Sequence, residues 1–246
     1  MIIQAVGLGP GDLAHITPCA LSAIENCDVL VGYSGYIKLI KEKASGKEII
    51  STGMKGEIKR CIAAIEEAKK GKRVCIVSSG DAGIYGMASL LYELSELEEN
   101  IDIEVIPGIT AAISAAAILG SPLSNDFAVI SLSDLLTPWD VIERRLKACS
   151  AADMVLCLYN PGSINRSDHL QHACDIVMEH RSVNTHCGYV RNAYRGKDQE
   201  SLICSLEELA VTKVDMFTIV IIGNSCTKLI DGKLVTSRGY ELGNEK

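Results

Sequence analysis

The sequence predicts an α/β protein of two α/β domains with mostly parallel or mixed sheets. Three observations carry this reading. Short apolar runs alternate with amphipathic segments along the chain, the pattern of strands joined by crossover helices. The runs end in turns rich in glycine and small polar residues. The alternation also pauses near residue 120 and restarts at "FAVISL", which divides the chain into residues 1–119 and 120–246.

In order, Ile2–Val6 reads as a strand, and Thr17-Pro18 opens a helix to about Asn26, with Thr as N-cap and Pro at the first helical position. Asp28–Tyr33 and Lys47–Thr52 are strands. "GEIKRCIAAIEEAKKGK" carries Ile58, Cys61, Ile62 and Ile65 at helical spacing and stops at Gly71. "RVCIVSS" is a buried strand, "MASLLYELSEL" a helix and "IDIEVIP" a strand. An Ala-rich helix from about Thr110 to Leu119, whose small residues suit close packing, ends at Gly120, and Gly120–Asn125 reads as a linker. The second half adds the strand "FAVISL", a helix from Trp139 to Cys149 and the strand "DMVLCLY". A helix near Asp168–Glu179, the strands "HCGYV" and "MFTIVIIG", and a hairpin around Asp231-Gly232 complete it.

Composition excludes several classes. Among 246 residues, 48% are hydrophobic and only 4% aromatic, so the core is aliphatic. No apolar run approaches the roughly 18 residues of a membrane span, and no export signal opens the chain, so a cytoplasmic protein with no membrane partner is expected. A net charge of −7 argues against a nucleic-acid partner. The ten cysteines form no C-x-x-C pair and read as small buried hydrophobes in a reducing compartment. His169 and His172, three apart, read as a solvated helix face, and no metal site is expected.

The opening loop Gly7-Leu8-Gly9-Pro10-Gly11-Asp12 resembles a dinucleotide fingerprint but departs from it twice. The sixth position is Asp12 instead of a glycine, and Pro10 removes an N–H from the loop that would face phosphate. A tight structural turn and a loop held open beside a pocket both fit. Other strand exits carry unusual residues: Ser78–Gly86 with Gly80, Gly83 and Gly86; Pro107–Thr110; "YNPGS"; "YVRNAYR"; and "GNS" at Gly223–Ser225. The glycines permit close backbone approach by a ligand, and Asp81 is a candidate acceptor. No nucleophile stands beside a base, which suits a reaction whose chemistry resides in bound molecules.

Together, "VGLGPGD", "VGYSGY", "SSGDAGIYGMA", the stretch from "PGITAAISAAAILG" to "SLSDLLTPW", "LYNPGS", "VIIGNS" and "SRGY" resemble the tetrapyrrole (corrin/porphyrin) methylase family. The branch most similar is that of the precorrin-3B and cobalt-factor III C17-methyltransferases. The resemblance implies that family's fold, with an active-site cleft between domains, and a homodimer. It also implies S-adenosylmethionine as cofactor and methylation at C17 of precorrin-3B or cobalt-factor III, with ring contraction, in cobalamin biosynthesis. Another methylase of the same fold and a non-catalytic α/β ligand-binding protein are the alternatives. Carried over, the cofactor would meet Gly80, Asp81, Ala82, Ile84, Thr110, Ala111, Tyr159, Asn160, Val190, Arg191, Asn192 and Thr218. Pro10 and Asp12 would border the substrate. Arg166, and Arg195 in the cluster Arg191, Arg195 and Lys197, offer positive charge for ring carboxylates that an acidic chain would otherwise repel. The resemblance names no catalytic base.

Overall fold

The computed structural model describes residues 1–240 apart from Leu97, Glu99, Ile164 and Asn165. The Leu97 end of the predicted helix "MASLLYELSEL" and residues 241–246 of the predicted second domain lie outside the described residues. The chain divides into two compact units, Met1–Ala111 with Tyr194–Gly196, and Ala112–Ala193 with the chain from Lys197 onward.

The first unit contains β1 (Ile2–Gly7), α1 (Pro18–Asn26), β2 (Val29–Tyr33), α2 (Ser34–Leu39), β3 (Glu48–Thr52), α3 (Glu57–Lys69), β4 (Val74–Ser78), α4 (Ala88–Ser95) and β5 (Asp102–Ile106). A single-turn 3₁₀ helix, Leu13–His15, follows β1. The sheet is parallel throughout, in the order β3-β2-β4-β1-β5. Its central strands are buried on both faces: α3 and α4 pack on one aliphatic cluster, α1 and α2 on the other. Thr17 caps α1, its hydroxyl accepting from Ala20 N at 3.2 Å, with Pro18 behind it as predicted.

The buried face of α3 differs from the expected one. Ile58 and Ile62 are 57% and 47% exposed, while Cys61, Ala64, Ile65 and Ala68 are buried. Small residues let the helix approach the sheet, and the bulkier isoleucines on the adjacent stripe are turned outward. The helix α2 was not read from the sequence, because six residues hold too little periodicity to see.

The second unit contains α5 (Ala111–Leu119, all but its first residue), β6 (Gly120–Ser121), β7 (Phe127–Ser131), α6 (Trp139–Ala151), β8 (Val155–Tyr159), α7 (His169–Met178) and β9 (His186–Arg191). β10 (Glu200–Ser205), α8 (Leu206–Ala210), β11 (Thr218–Ile222), β12 (Thr227–Ile230) and β13 (Lys233–Thr236) follow. Its main sheet has the order β10-β9-β11-β8-β7 and is mixed, with β7 and β8 parallel and β11 antiparallel to both of its neighbours. A core built on Leu146, Leu156, Leu158, Leu170 and Val220 holds α6, α7 and α8 against it. β10 and α8 were missed in the sequence, although α8 carries a readable start signal. Ser205 and Glu208 form a capping box, each side chain bonding the other's backbone N–H.

The stretch read as a linker is instead a seam of the second unit. Gly120 and Ser121 pair in parallel with Leu234 and Val235, and the Thr236 hydroxyl donates to Pro122 O at 2.6 Å. β12 and β13 form the predicted hairpin, with Asp231 (φ 48°) and Gly232 (φ 71°) both left-handed, as a two-residue turn of this hand requires. Most cysteines are buried as expected, but Cys19 and Cys226 are exposed.

Candidate active site

In the first unit the predicted residues gather at the carboxyl ends of β1, β4 and β5. Three segments meet there through main chain. Leu8 N donates to Ser78 O at 2.8 Å, Gly9 N to Gly80 O at 3.0 Å, and Gly80 N to Gly9 O at 2.8 Å. A Cβ on Gly7 would stand 2.6 Å from Gly108 N and 2.7 Å from Gly80 O, so these glycines are required by the protein's own backbone. Gly86 is likewise closed by Ala82 O, whereas a Cβ on Gly83 would meet only Asp81 Oδ1, at 3.3 Å.

Asp81 ties two of the loops together. Its Oδ1 accepts from Gly83 N at 2.8 Å and its Oδ2 from Gly108 N at 2.9 Å. Both oxygens therefore serve loop geometry. Ala82 is fully buried, Thr110 is buried, and Ala111 N lies beside Gly80. Ile84 and Tyr85 are the exposed apolar side chains of this loop.

The β1 exit organises a second group. Asp12 caps the 3₁₀ turn, its Oδ1 accepting from His15 N at 3.1 Å and meeting His15 Nδ1 at 2.5 Å. The His15 ring lies against Tyr194, centroids 4.0 Å apart. Tyr194 is held at φ 56°, an uncommon conformation for an aromatic residue. Arg195 donates from Nε to Pro10 O at 3.1 Å and from Nη2 to Ser79 Oγ at 3.1 Å. Its stem occupies the space a Cβ on Gly11 would take. Burial pulls the basicity of this guanidinium down, partly offset by Tyr36 nearby. His15, Ser79 and Tyr194 were not singled out from the sequence. A histidine three residues after the capping aspartate was the signal available.

In the second unit, side chains tie the strand ends. The Tyr159 hydroxyl accepts from Ala112 N at 2.9 Å. Asn160, at φ 52°, donates from Nδ2 to Ser131 Oγ at 2.9 Å. Arg166 donates to Ser163 Oγ at 3.0 Å and Ser133 Oγ at 2.5 Å, and stands 3.8 Å from Asp134. Thr218 begins β11 directly opposite Arg191 at the end of β9, because β11 runs antiparallel. Arg191 is paired at 2.8 Å with Asp215, which also accepts from the Thr218 hydroxyl at 3.0 Å, and Glu200 lies 3.6 Å away. Asn192, at φ 51°, donates from Nδ2 to Asp198 O at 3.2 Å. Val190 is fully buried within the ladder.

The antiparallel β11 also corrects one expectation. Gly223–Ser225 lies at the opposite end of this sheet, where Gly223 N donates to His186 O at 3.0 Å and Asn224 Nδ2 to Asp153 O at 3.0 Å. His169 likewise departs from a solvated face. It stacks on Trp139 at 4.7 Å, and its Nδ1 lies 3.0 Å from Leu132 O. Among the described residues, no group of three or more His, Cys, Asp or Glu side chains is placed to hold a metal ion. Among them, too, no helix is long and apolar enough to cross a membrane.

The model of the tetrapyrrole (corrin/porphyrin) methylases matches residues 3–210. The chain belongs to that family. A curated relative from Salmonella typhimurium, a probable cobalt-factor III C(17)-methyltransferase, is 46% identical over 98% of this chain and 100% of its own length. Other curated relatives are longer, the chain spanning 45% and 52% of two of them. The crystal structure of the methyltransferase CobJ superposes with a TM-score of 0.89 at 32% identity, over 96% of this chain and 99% of that one. A uroporphyrin-III C-methyl transferase from Thermus thermophilus, complexed with S-adenyl homocysteine, shares the fold. Its TM-score is 0.70 at 19% identity, over 91% of this chain and 97% of that one. For this tetrapyrrole methylase, the fold expected from the sequence is the fold observed.

Proposed function

We propose that this methylase transfers a methyl group from S-adenosylmethionine to C17 of the cobalt-factor III ring, with ring contraction, in cobalamin biosynthesis. The carrying observation is the end-to-end 46% identity with the Salmonella typhimurium relative of that name. The same reading makes it a cytoplasmic homodimer.

The residues present fit the donor. The Ser79–Gly86 loop contains no Lys or Arg to oppose a sulfonium. It has no backbone closing over Gly83, and it exposes the apolar side chains of Ile84 and Tyr85. When bound, the donor supplies an electrophilic methyl group on a sulfonium. The protein's part is to hold, orient and desolvate. Gly80, Asp81, Ala82, Ile84, Thr110 and Ala111 of the first unit are assigned to the donor. From the second unit, Tyr159, Asn160, Val190, Arg191, Asn192 and Thr218 are assigned to it. Pro10, Asp12, Arg166 and Arg195 are assigned to the ring. Of these, Arg195 is the guanidinium already fixed in direction by Pro10 O and Ser79 Oγ, a preorganised partner for a ring carboxylate.

The test is an anaerobic incubation of the purified protein with donor and either cobalt-factor III or metal-free precorrin-3B, read by mass spectrometry. A product one methyl group heavier is expected with the cobalt-bound ring. Methylation of the metal-free ring alone moves the substrate to precorrin-3B, and methylation of neither overturns the reading.

A further inference from the structure

Resting on the methyltransferase reading, we propose that His15 is a catalytic residue of this site, its Nε2 accepting the proton that the tetrapyrrole sheds on alkylation. The geometry is that of an oriented base. Asp12 Oδ1 lies 2.5 Å from Nδ1 and also receives the backbone N–H of His15, so one carboxylate fixes both the turn and the ring. A carboxylate can only accept, so Nδ1 carries a hydrogen, and in the neutral imidazole Nε2 then presents its lone pair. Among the described residues no hydrogen bond occupies Nε2, and the imidazole is 31% exposed beside a 43% exposed carboxylate.

The surroundings hold the ring in place without quenching it. Tyr194 stacks on one face, and Arg195 follows it in the chain, anchored at Pro10 and Ser79. Among the described residues, Asp12 and Tyr194 are the titratable groups placed directly against the imidazole. The turn that carries His15 closes over Gly9, where a Cβ would stand 2.6 Å from His15 O; the positive φ of 70° there is what lets the turn fold back. Left-handed Tyr194 adds a second uncommon backbone conformation at the same spot.

The proton balance is simple. A ring that gains a methyl group through its own electron pair gains one positive charge. Breaking one X–H bond of the ring or its substituents discharges that charge: the bonding pair stays on the substrate and the proton forms the Nε2–H bond. Imidazolium then returns the proton to water.

Two measurements test this. With nitrogen-15 histidine and neither donor nor ring present, the resonances missing from H15Q belong to His15. Neutral His15 protonated on Nδ1 is expected, shifting to a tautomer mixture in D12N; a hydrogen fixed on Nε2 overturns the dyad. In single turnovers with cobalt-factor III, H15Q is expected to lose about 10²–10⁴-fold in rate, together with the acid limb of the pH profile. Affinities for S-adenosylhomocysteine and for the ring should stay within about twofold, on the rule that a transition-state group leaves ground-state binding unchanged. Full-rate methylation by H15Q overturns the proposal alone, and so does a loss confined to ring affinity. A parent protein that methylates neither ring overturns the underlying reading and the proposal with it.

Discussion

In the first unit, Gly7, Gly80 and Gly108 bring three strand exits together through main chain. In the second unit the corresponding ends are tied by side chains: Tyr159 to Ala112, Asn160 to Ser131, Arg166 to Ser133, Arg191 to Asp215. The two solutions differ in tolerance. At Gly7 and Gly108 the backbone-on-backbone contact has no room for even one methyl group, and the atoms that would move are main chain. A side-chain tether can be shortened or replaced, at the cost of one hydrogen bond. The glycine motifs are therefore rigid parts of the fold as well as candidate ligand contacts, while the second unit's contacts are adjustable.

The largest effect should come from breaking the rigid contact. Gly108→Val places a branched side chain against Gly80 O and Gly7. Overpacking of this kind costs typically ~1–3 kcal/mol, and more where backbone must move. We expect about 3 kcal/mol or more in urea unfolding, with loss of S-adenosylhomocysteine binding by calorimetry. A variant of parental stability would mean that the three loops separate easily.

Asp81→Ala removes the carboxylate that joins two of those loops, leaving the Gly83 and Gly108 N–H groups without it. A stranded donor costs about 1–3 kcal/mol, so ~2 kcal/mol is expected for the partly exposed pair. Donor affinity should fall with it. Asp81→Asn keeps one acceptor and should recover about half. If Asp81→Ala lowers affinity while stability stays parental, Asp81 acts on the ligand directly.

Tyr159→Phe probes the tethered side of the comparison. It deletes one neutral hydrogen bond to Ala112 N, and a loss of ~1 kcal/mol in urea unfolding is expected. A loss as large as that of Gly108→Val would erase the distinction between the two units.

How legible these features were follows from where their causes lie. Strands such as β4 and β8 are continuous apolar runs, and the Thr17-Pro18 cap is local chemistry, so both could be read directly. Strand direction is not local. Nothing in "TIVIIG" says that β11 runs antiparallel, and that is why Gly223–Ser225 was assigned to the wrong end of the sheet. Gly120–Ser121 was missed as a strand because its partner, β13, lies more than a hundred residues away. The same holds at the site. Gly80 and Asp81 stood out by composition, but that Asp81 faces Gly108, or that Tyr194 lies against His15, depends on long-range packing.

The smallest stability effect, and the one most informative about charge, belongs to Arg191. The sequence offered it as a free cation for ring carboxylates, but Asp215 and Glu200 already face it. Arg191 and Asp215 are 35% and 37% exposed, so solvent screens the pair and Arg191→Ala should cost at most ~1 kcal/mol near neutral pH. Burial pushes the Asp215 carboxyl up, but Arg191, the Phe217 N–H and the Thr218 hydroxyl together hold it below 3.8. Because its folded pKa lies below the unfolded one, this stabilisation is present above the unfolded value and disappears as pH falls through the folded value. The stability gap between parent and Arg191→Ala should therefore be constant at neutral pH and close as the solution is acidified below the ordinary carboxylate range. Urea unfolding at a series of pH values measures it, and a gap that persists in acid would assign the loss to packing. Ring affinity separates the two arginines. Arg195→Ala should weaken ring binding about tenfold or more, as loss of a charge-assisted contact does, and Arg191→Ala only slightly. If instead Arg191→Ala weakens the ring as strongly as Arg195→Ala, with donor affinity intact, then Arg191 leaves Asp215 to meet the substrate.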